Sequence, residues 1–399
     1  MEFISSFDTS ILNRPSGWYE IKTLTKGPYP RGGHTGIYVT QLSETASKEM
    51  DDKKGKIFLI GGADPDRAFD QSFVLDLNNM TWTGHSSGSF CGRYEHSCYI
   101  PTSYPDKIYI FGGADLTGNR NDIQVLDTNT MVWTTVEVDG CQPSPRTQHH
   151  SAAFGDYLVV FGGGDCGANP VSDCDVHIFN ATTQSWSILT ATGNAPSVRH
   201  GHAMVSLGNL IYVHGGMSGP TFYDDFYTLD MENCMWKKLS PKGRNPTPRA
   251  AHSIVAINKQ LFLFGGLSNR GALNDLYRFD TVEEIWVKIS VPGKLPSARL
   301  DFAICAINIE LIRNDEKGST DGQSHPVRKA SPSWLSNTIS FTRNDVGFLK
   351  CWCFSGGMQL KPSHSEHTSN IQSGRSAIFL HGGMDTQGNI FDDFFIYLL

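Results

Sequence analysis

The chain has 399 residues, of which 39% are apolar and only 18% charged, with 40 glycines. That balance is too apolar for a disordered protein and too rich in glycine for a helical one, which leaves a loop-rich all-β protein. A net charge of −7, with no local run of Lys and Arg, excludes a broad phosphate-backbone footprint and so argues against nucleic acid as a partner.

The N-terminus, MEFISSFDTSILNRPSGW, has neither a basic stretch nor a continuous apolar segment, so it does not read as a signal peptide. Residues 1–16 are expected to form a tail. Nowhere does the chain hold the roughly 18 consecutive apolar residues of a membrane helix, so direct membrane insertion is not expected. The nine cysteines are odd in number and form no C-x-x-C pair. Cys351 and Cys353 flank a Trp, a spacing that suits neither a zinc site nor a disulfide framework, and reduced thiols in a cytosolic protein follow. The sequons at Asn79 and Asn180 are then expected to stay unmodified.

From residue 31 onward the chain repeats. An apolar strand ends in a glycine pair at Gly61-Gly62, Gly112-Gly113, Gly162-Gly163, Gly215-Gly216, Gly265-Gly266 and Gly382-Gly383. The first five pairs are spaced 51, 50, 53 and 50 residues apart. After each of those five come an Asp-type turn and a Trp: Trp82, Trp133, Trp186, Trp236 and Trp286. Before each comes Arg-x-x-His: Arg31/His34, Arg93/His96, Arg146/His149, Arg199/His202 and Arg249/His252. A unit therefore reads as four short strands, beginning near 31, 93, 146, 199, 249 and 299. One such sheet cannot bury both faces, whereas copies arranged radially can. Glycine pairs suit the strand end because they accept positive φ and let a neighbouring backbone or the Trp ring come close.

The sixth unit begins at Arg299, has Phe302 where a His is expected, and lacks a Trp strand. A spare Trp strand stands at the other end, around Trp18, so residues 17–24 are expected to complete the last blade. The fold class that results is an all-β, six-bladed propeller spanning 17–399 and closed by an N-terminal strand. Two polar insertions occupy the same point of their units. These are 41–55 in the first and 308–376 in the last, the second expected to be mostly disordered. They should crowd one side of one face. The segment CWCFSGGM at 351–358 is an alternative second strand for the last blade.

No catalytic constellation stands out. A residue that recurs once per blade serves the blade, so the Arg and His set is read as structural. The dense His149-His150 and His200/His202 do not gather the three or four ligands a metal needs, and Cys166 and Cys174 have no His close by, so no metal or other cofactor is expected. Consecutive carboxylates such as Asp224-Asp225 and Asp392-Asp393 point to opposite faces of a strand and read as turn or cap residues. No phosphate-binding G-x-x-x-x-G-K-[ST] loop occurs. Specificity must then lie in the unequal loops after the glycine pairs, where Arg67, Arg120, Phe222, Tyr223 and Arg270 are the large groups suited to partner binding.

The period near 50, the glycine pair and the trailing Trp resemble the kelch repeat, and the resemblance covers nearly the whole ring. Segments such as GGADPDRAF, IYIFGGADLTGNRN, PSPRTQHHSAA and HGGMSGPTFYDD further resemble kelch-motif effectors of the Rab-nine GTPase. That resemblance implies a non-enzymatic, cytoplasmic adaptor, peripheral on endosomal membranes, that binds a GTP-bound Rab GTPase in endosome-to-trans-Golgi vesicle transport. It also admits a membrane-recruiting kinase or scaffold as a second partner, and assigns no catalytic residues. The alternatives are a substrate-recognition propeller of a ubiquitin ligase or other kelch scaffold, and a small-molecule kelch enzyme using the axial channel.

Overall fold

A computed structural model describes residues 2–7, 9–40, 55–86, 88–166, 169–291, 293–311 and 373–399. Six antiparallel meanders stand around one axis, each running from an inner to an outer strand. Blade one is Thr35–Val39, Lys56–Ile60, Gln71–Asp76 and Thr81–Ser86, and the next four blades repeat that order. The second strand of every blade is a continuous apolar run, and Ile57, Leu59 and Ile60 are wholly buried, because a neighbouring blade covers each of its faces. In blade one the outer strand has a ladder partner on one side only, so in Thr81–Ser86 Trp82 alone is buried.

The turn before each Trp strand has a local cause. Asp76 Oδ1 accepts the backbone N–H of Asn78, and Asp127, Asn180, Asp230 and Asp280 do the same in blades two to five. Asn180 explains why the motif can drift from Asp without losing the turn. Each Trp then sits opposite an apolar residue of the third strand, as in Leu75–Trp82 and Phe179–Trp186. The ring of the Trp reaches toward the preceding blade: Trp186 lies 4.8 Å from Phe111, Trp236 lies 5.4 Å from Phe161, and Trp18 lies 5.1 Å from Phe264. These aromatic contacts join blade to blade.

The last blade combines chain ends. Gly17–Ile21 pairs antiparallel with Phe394–Leu398, with Gly17 opposite Leu398 and Trp18 opposite Tyr397. The N-terminal segment is more than a tail. Phe3–Ile4 adds a parallel strand to Glu20–Ile21, and Ile4, Phe7 and Ile11 are almost fully buried. Arg375 fixes it, donating to the carbonyls of Ile11 at 2.7 Å and Leu399 at 2.9 Å.

The edges of the long insertion need correction. The hairpin of Ala303–Leu311 with Ser373–His381 keeps its ladder through Asn308↔Ser376 to Leu311↔Ser373, so 308–311 and 373–376 belong to the blade. Residues 312–372, with CWCFSGGM, and 41–54 lie outside the described residues. The bases of the two insertions are neighbours: the Tyr38 hydroxyl donates to the Asn308 carbonyl at 3.1 Å. Both leave the ring at the strand ends opposite the glycine pairs, on the other face of the disc.

Candidate functional site

The face that carries the glycine pairs is held by a clamp repeated around the ring. The second Gly of each pair donates its N–H to the carbonyl of the next blade's Arg: Gly62 to Arg93, Gly113 to Arg146, Gly163 to Arg199, Gly216 to Arg249, Gly266 to Arg299 and Gly383 to Arg31, all at 2.8–2.9 Å. The sixth bond closes the circle. A Cβ on Gly61 would lie 2.5 Å from the Arg93 carbonyl and 2.9 Å from the His96 ring, so no side chain fits. Both glycines of that pair have positive φ, 64° and 90°. The close neighbours are thus the Arg carbonyl, a neighbouring backbone as the sequence allows, and the His ring, and not the Trp ring that was the other choice.

All six arginines are fully buried. Each donates Nη1 to the carbonyl of its own blade's first Gly, at 2.8 Å for Arg31 and 2.9 Å for Arg299, and Nε to the carbonyl two residues before it. Five also meet a carboxylate: Asp122, Asp173, Asp225, Asp275 and Asp393. The second member of each Asp-Asp or Asn-Asp pair is therefore the Arg partner rather than a turn or cap residue. Burial works against ionisation of Asp225 and Asp275, but the hydrogen bonds and charge of Arg199 and Arg249 hold both below the usual carboxylate range. Blade one differs. Gln71 occupies the equivalent place, its carbonyl accepting from Gly61 as that of Asp225 does from Gly215. Arg31 Nη2 finds no partner among the described residues. Its guanidinium stacks on Phe69 at 4.1 Å, with Phe73 at 5.1 Å.

The histidines form a buried inner layer. His34 meets His381 at 2.7 Å, His96 meets Thr35 at 2.9 Å, His149 meets Ser97 at 3.0 Å, and His252 meets His214 at 3.0 Å. Burial pushes His96 down to about 3 and His34, His202 and His252 well below their usual value, so these rings are neutral at physiological pH. In blade six Phe302 takes the place of the His and packs against Phe264 at 5.5 Å.

The loops after the glycine pairs rise on this same face. In blades two to five they form hairpins of two or three residues a strand, such as Ala114–Asp115 with Gly118–Asn119 and Met217–Ser218 with Thr221–Phe222. Of the five side chains singled out for partner binding, Arg67 has a side chain 62% exposed and Arg270 is exposed, whereas Phe222 is half-buried. Arg120 is held by Asp115, and Tyr223 lies flat on buried Arg199 at 4.4 Å. The five stand on blades one, two, four and five and share a rim without converging. Asp173, Asp175 and His177 form a group with metal-ligating atoms, although Asp173 is already engaged by Arg146 and His177.

Sequence patterning did not reveal a second feature of this face. Just before each His (Phe302 in blade six) lies a residue at positive φ facing the axis: Gly33, Glu95, Gln148, Gly201, Ala251 and Asp301. They line an axial cavity of about 210 Å³. Glu95 accepts from Thr147 Oγ1 at 2.6 Å and from Gln148 Nε2 at 3.1 Å. The signal was a register one: the variable positions of Arg-x-x-His meet at the axis, where the carboxylates of Glu95 and Asp301 become conspicuous.

Among the described residues no helix is long and apolar enough to cross a membrane. The model of the KLHDC2/KLHL20/DRC7 Kelch-repeats domain matches residues 49–266 and 163–313. The chain is similar to proteins named Rab9 effector protein with kelch motifs. The Bos taurus protein is 45% identical over 213 residues, 53% of this chain and 55% of that one. The Homo sapiens protein is 44% identical over the same shares. The Danio rerio protein is 34% identical over 239 residues, 58% of this chain and 68% of that one. Except for the Danio rerio protein, the chain spans about half the length of these curated relatives. It belongs to the kelch-repeat family.

Proposed function

We propose that this kelch propeller is a non-catalytic adaptor whose glycine-pair face binds a Rab GTPase in its GTP state, working in endosome-to-trans-Golgi vesicle transport from the cytoplasmic side of endosomal membranes. The observation that carries this reading is the similarity to proteins named Rab9 effectors. The repeated Arg–Asp–Gly clamp supports it, since it gives the ring one rigid face and leaves the unequal loops above it as the variable part. Arg67 and Arg270 are its exposed cations, and cations of this kind suit contact with an acidic partner surface. Arg120 and Tyr223 are taken as supports of neighbouring groups within that face. A membrane-recruiting kinase or scaffold would act as a second partner.

The test is a pull-down of the full chain with Rab9 loaded with GTP or GDP. Retention of the GTP form alone, weakened by Arg67→Glu and Arg270→Glu together, is the expected result. Equal retention of both forms, or none, would sink the reading.

A further inference from the structure

The six residues around the axis form a belt of five backbone hydrogen bonds, and in the sixth place Gln148 Nε2 donates to the Glu95 side chain at 3.1 Å. Gly33 N donates to Asp301 O at 2.8 Å, Glu95 N to Gly33 O at 2.6 Å, Gly201 N to Gln148 O at 2.8 Å, Ala251 N to Gly201 O at 2.7 Å and Asp301 N to Ala251 O at 3.3 Å. Glu95 and Asp301 stand on either side of Gly33, so no side chain separates them. Gly201 and Ala251 leave the opposite wall of the 210 Å³ cavity open. The carboxylate of Asp301 has no hydrogen-bond or ion-pair partner among the described residues. Neither Lys nor Arg lines the cavity. The histidines that do, His34, His96, His149, His150 and His252, are kept neutral by burial. Two carboxylates, both partly buried, therefore share one cavity with no countercharge, an arrangement that a proton or a cation relieves. Both are pushed up accordingly, Glu95 by burial and Asp301 by burial and by the charge of Glu95.

We propose that the axial cavity is a binding site for a small organic cation, a guanidinium or primary ammonium group held by Asp301 and Glu95. A divalent metal fits less well, because it needs three or four convergent donors. Among the described residues the group of three ligating atoms lies at Asp173, Asp175 and His177, away from the axis. A guanidinium or ammonium group is satisfied by one or two carboxylates and a few carbonyls. The space available accepts such a head with a short alkyl stem. The cation reaches the cavity either as a free amine or as an Arg or Lys side chain of a docked peptide. Neither source depends on binding of a Rab protein at the rim.

Calorimetric titration of the full chain with propylguanidinium, against neutral propylurea, tests the site. Saturable binding of the cation alone is expected. Asp301→Asn should weaken it about tenfold or more, and Asn tolerates the φ of 52° at that position. Glu95→Gln is the second variant should the first not fold. Binding should tighten as pH rises, because the cation displaces protons from the raised carboxyls, and the heat should vary with the ionisation enthalpy of the buffer. A capped arginine tripeptide separates the sources: if it binds, the mouth admits a partner's side chain, and if only propylguanidinium binds, the ligand is a free amine. No saturable binding, equal binding of propylurea, unchanged affinity in both variants, or stronger binding of magnesium or zinc would each overturn the site.

Discussion

Blade one and the five others solve the same problem differently. In blades two to six a buried guanidinium braces the first Gly carbonyl and is neutralised by an Asp from the start of the third strand. In blade one the brace remains, to Gly61 at 2.8 Å, but Gln71 replaces the Asp. The cation therefore keeps only aromatic faces, Phe69 and Phe73, of the kind that Arg199 and Arg299 have in addition to their carboxylates. Burial and the nearby charge of Arg67 bring Arg31 down to about 10, which still leaves it charged at physiological pH. The contrast separates two tasks. Holding the glycine turn needs only the arginine's donors, whereas the carboxylate offsets the cost of burying its charge.

Removing the arginines should separate those tasks most strongly. Arg249→Ala leaves Asp275 with Lys288 alone, at 3.3 Å, and the Gly265 carbonyl bare, at a cost of about 3–5 kcal/mol by chemical denaturation. Arg31→Ala strands no carboxylate and should cost about 1–3 kcal/mol. Equal losses would mean that the carboxylates contribute nothing to the difference between blades.

The histidine layer offers a test of intermediate size, since blade six already does without its His. Burial holds His96 at about 3 in the folded chain, while an unfolded His takes a proton near 6.5. Between those values the unfolded state binds the extra proton, so stability falls as pH drops below about 6.5 and goes on falling toward about 3. His96→Phe should flatten that acid slope by about 1.4 kcal/mol per pH unit. An unchanged slope would show that His96 does not stay neutral.

The smallest effect should come from making blade one like the rest. Gln71→Asp places a carboxylate beside Arg31 Nη2 and should raise stability by about 1 kcal/mol. A loss instead would mean that the aromatic faces already satisfy the guanidinium.

The ring was legible in the sequence because its signals repeat: glycine pairs, Trp residues and the Arg-x-x-His register all count blades, and Trp18 supplied the missing strand. What escaped were relations across long separations. Asp225 and Asp393 are plain surface-type residues until the fold sets them beside Arg199 and Arg299. Glu95 and Asp301 lie about 200 residues apart in sequence and become ring neighbours only at the axis. The docking of Ile4, Phe7 and Ile11 was likewise hidden, since three apolar residues without periodicity give no strand or helix signal. The loop residues fared unevenly for a local reason: Asp115 holds Arg120 by a 2.8 Å hydrogen bond within its own hairpin, while Asp64 stays 3.9 Å from Arg67 and leaves it exposed, as Arg270 is.

The antiparallel seam between Gly17–Ile21 and Phe394–Leu398 also decides how the disc answers to force. Gly17 and Leu398 sit opposite each other at one end of that seam. A tug that separates those two points loads a single backbone rung, then the next, and peels the outer strand away like a zipper. Blades one to five have a covalent turn at that point, whereas here the docked segment of Ile4, Phe7 and Ile11 and the bonds of Arg375 stand against the peeling.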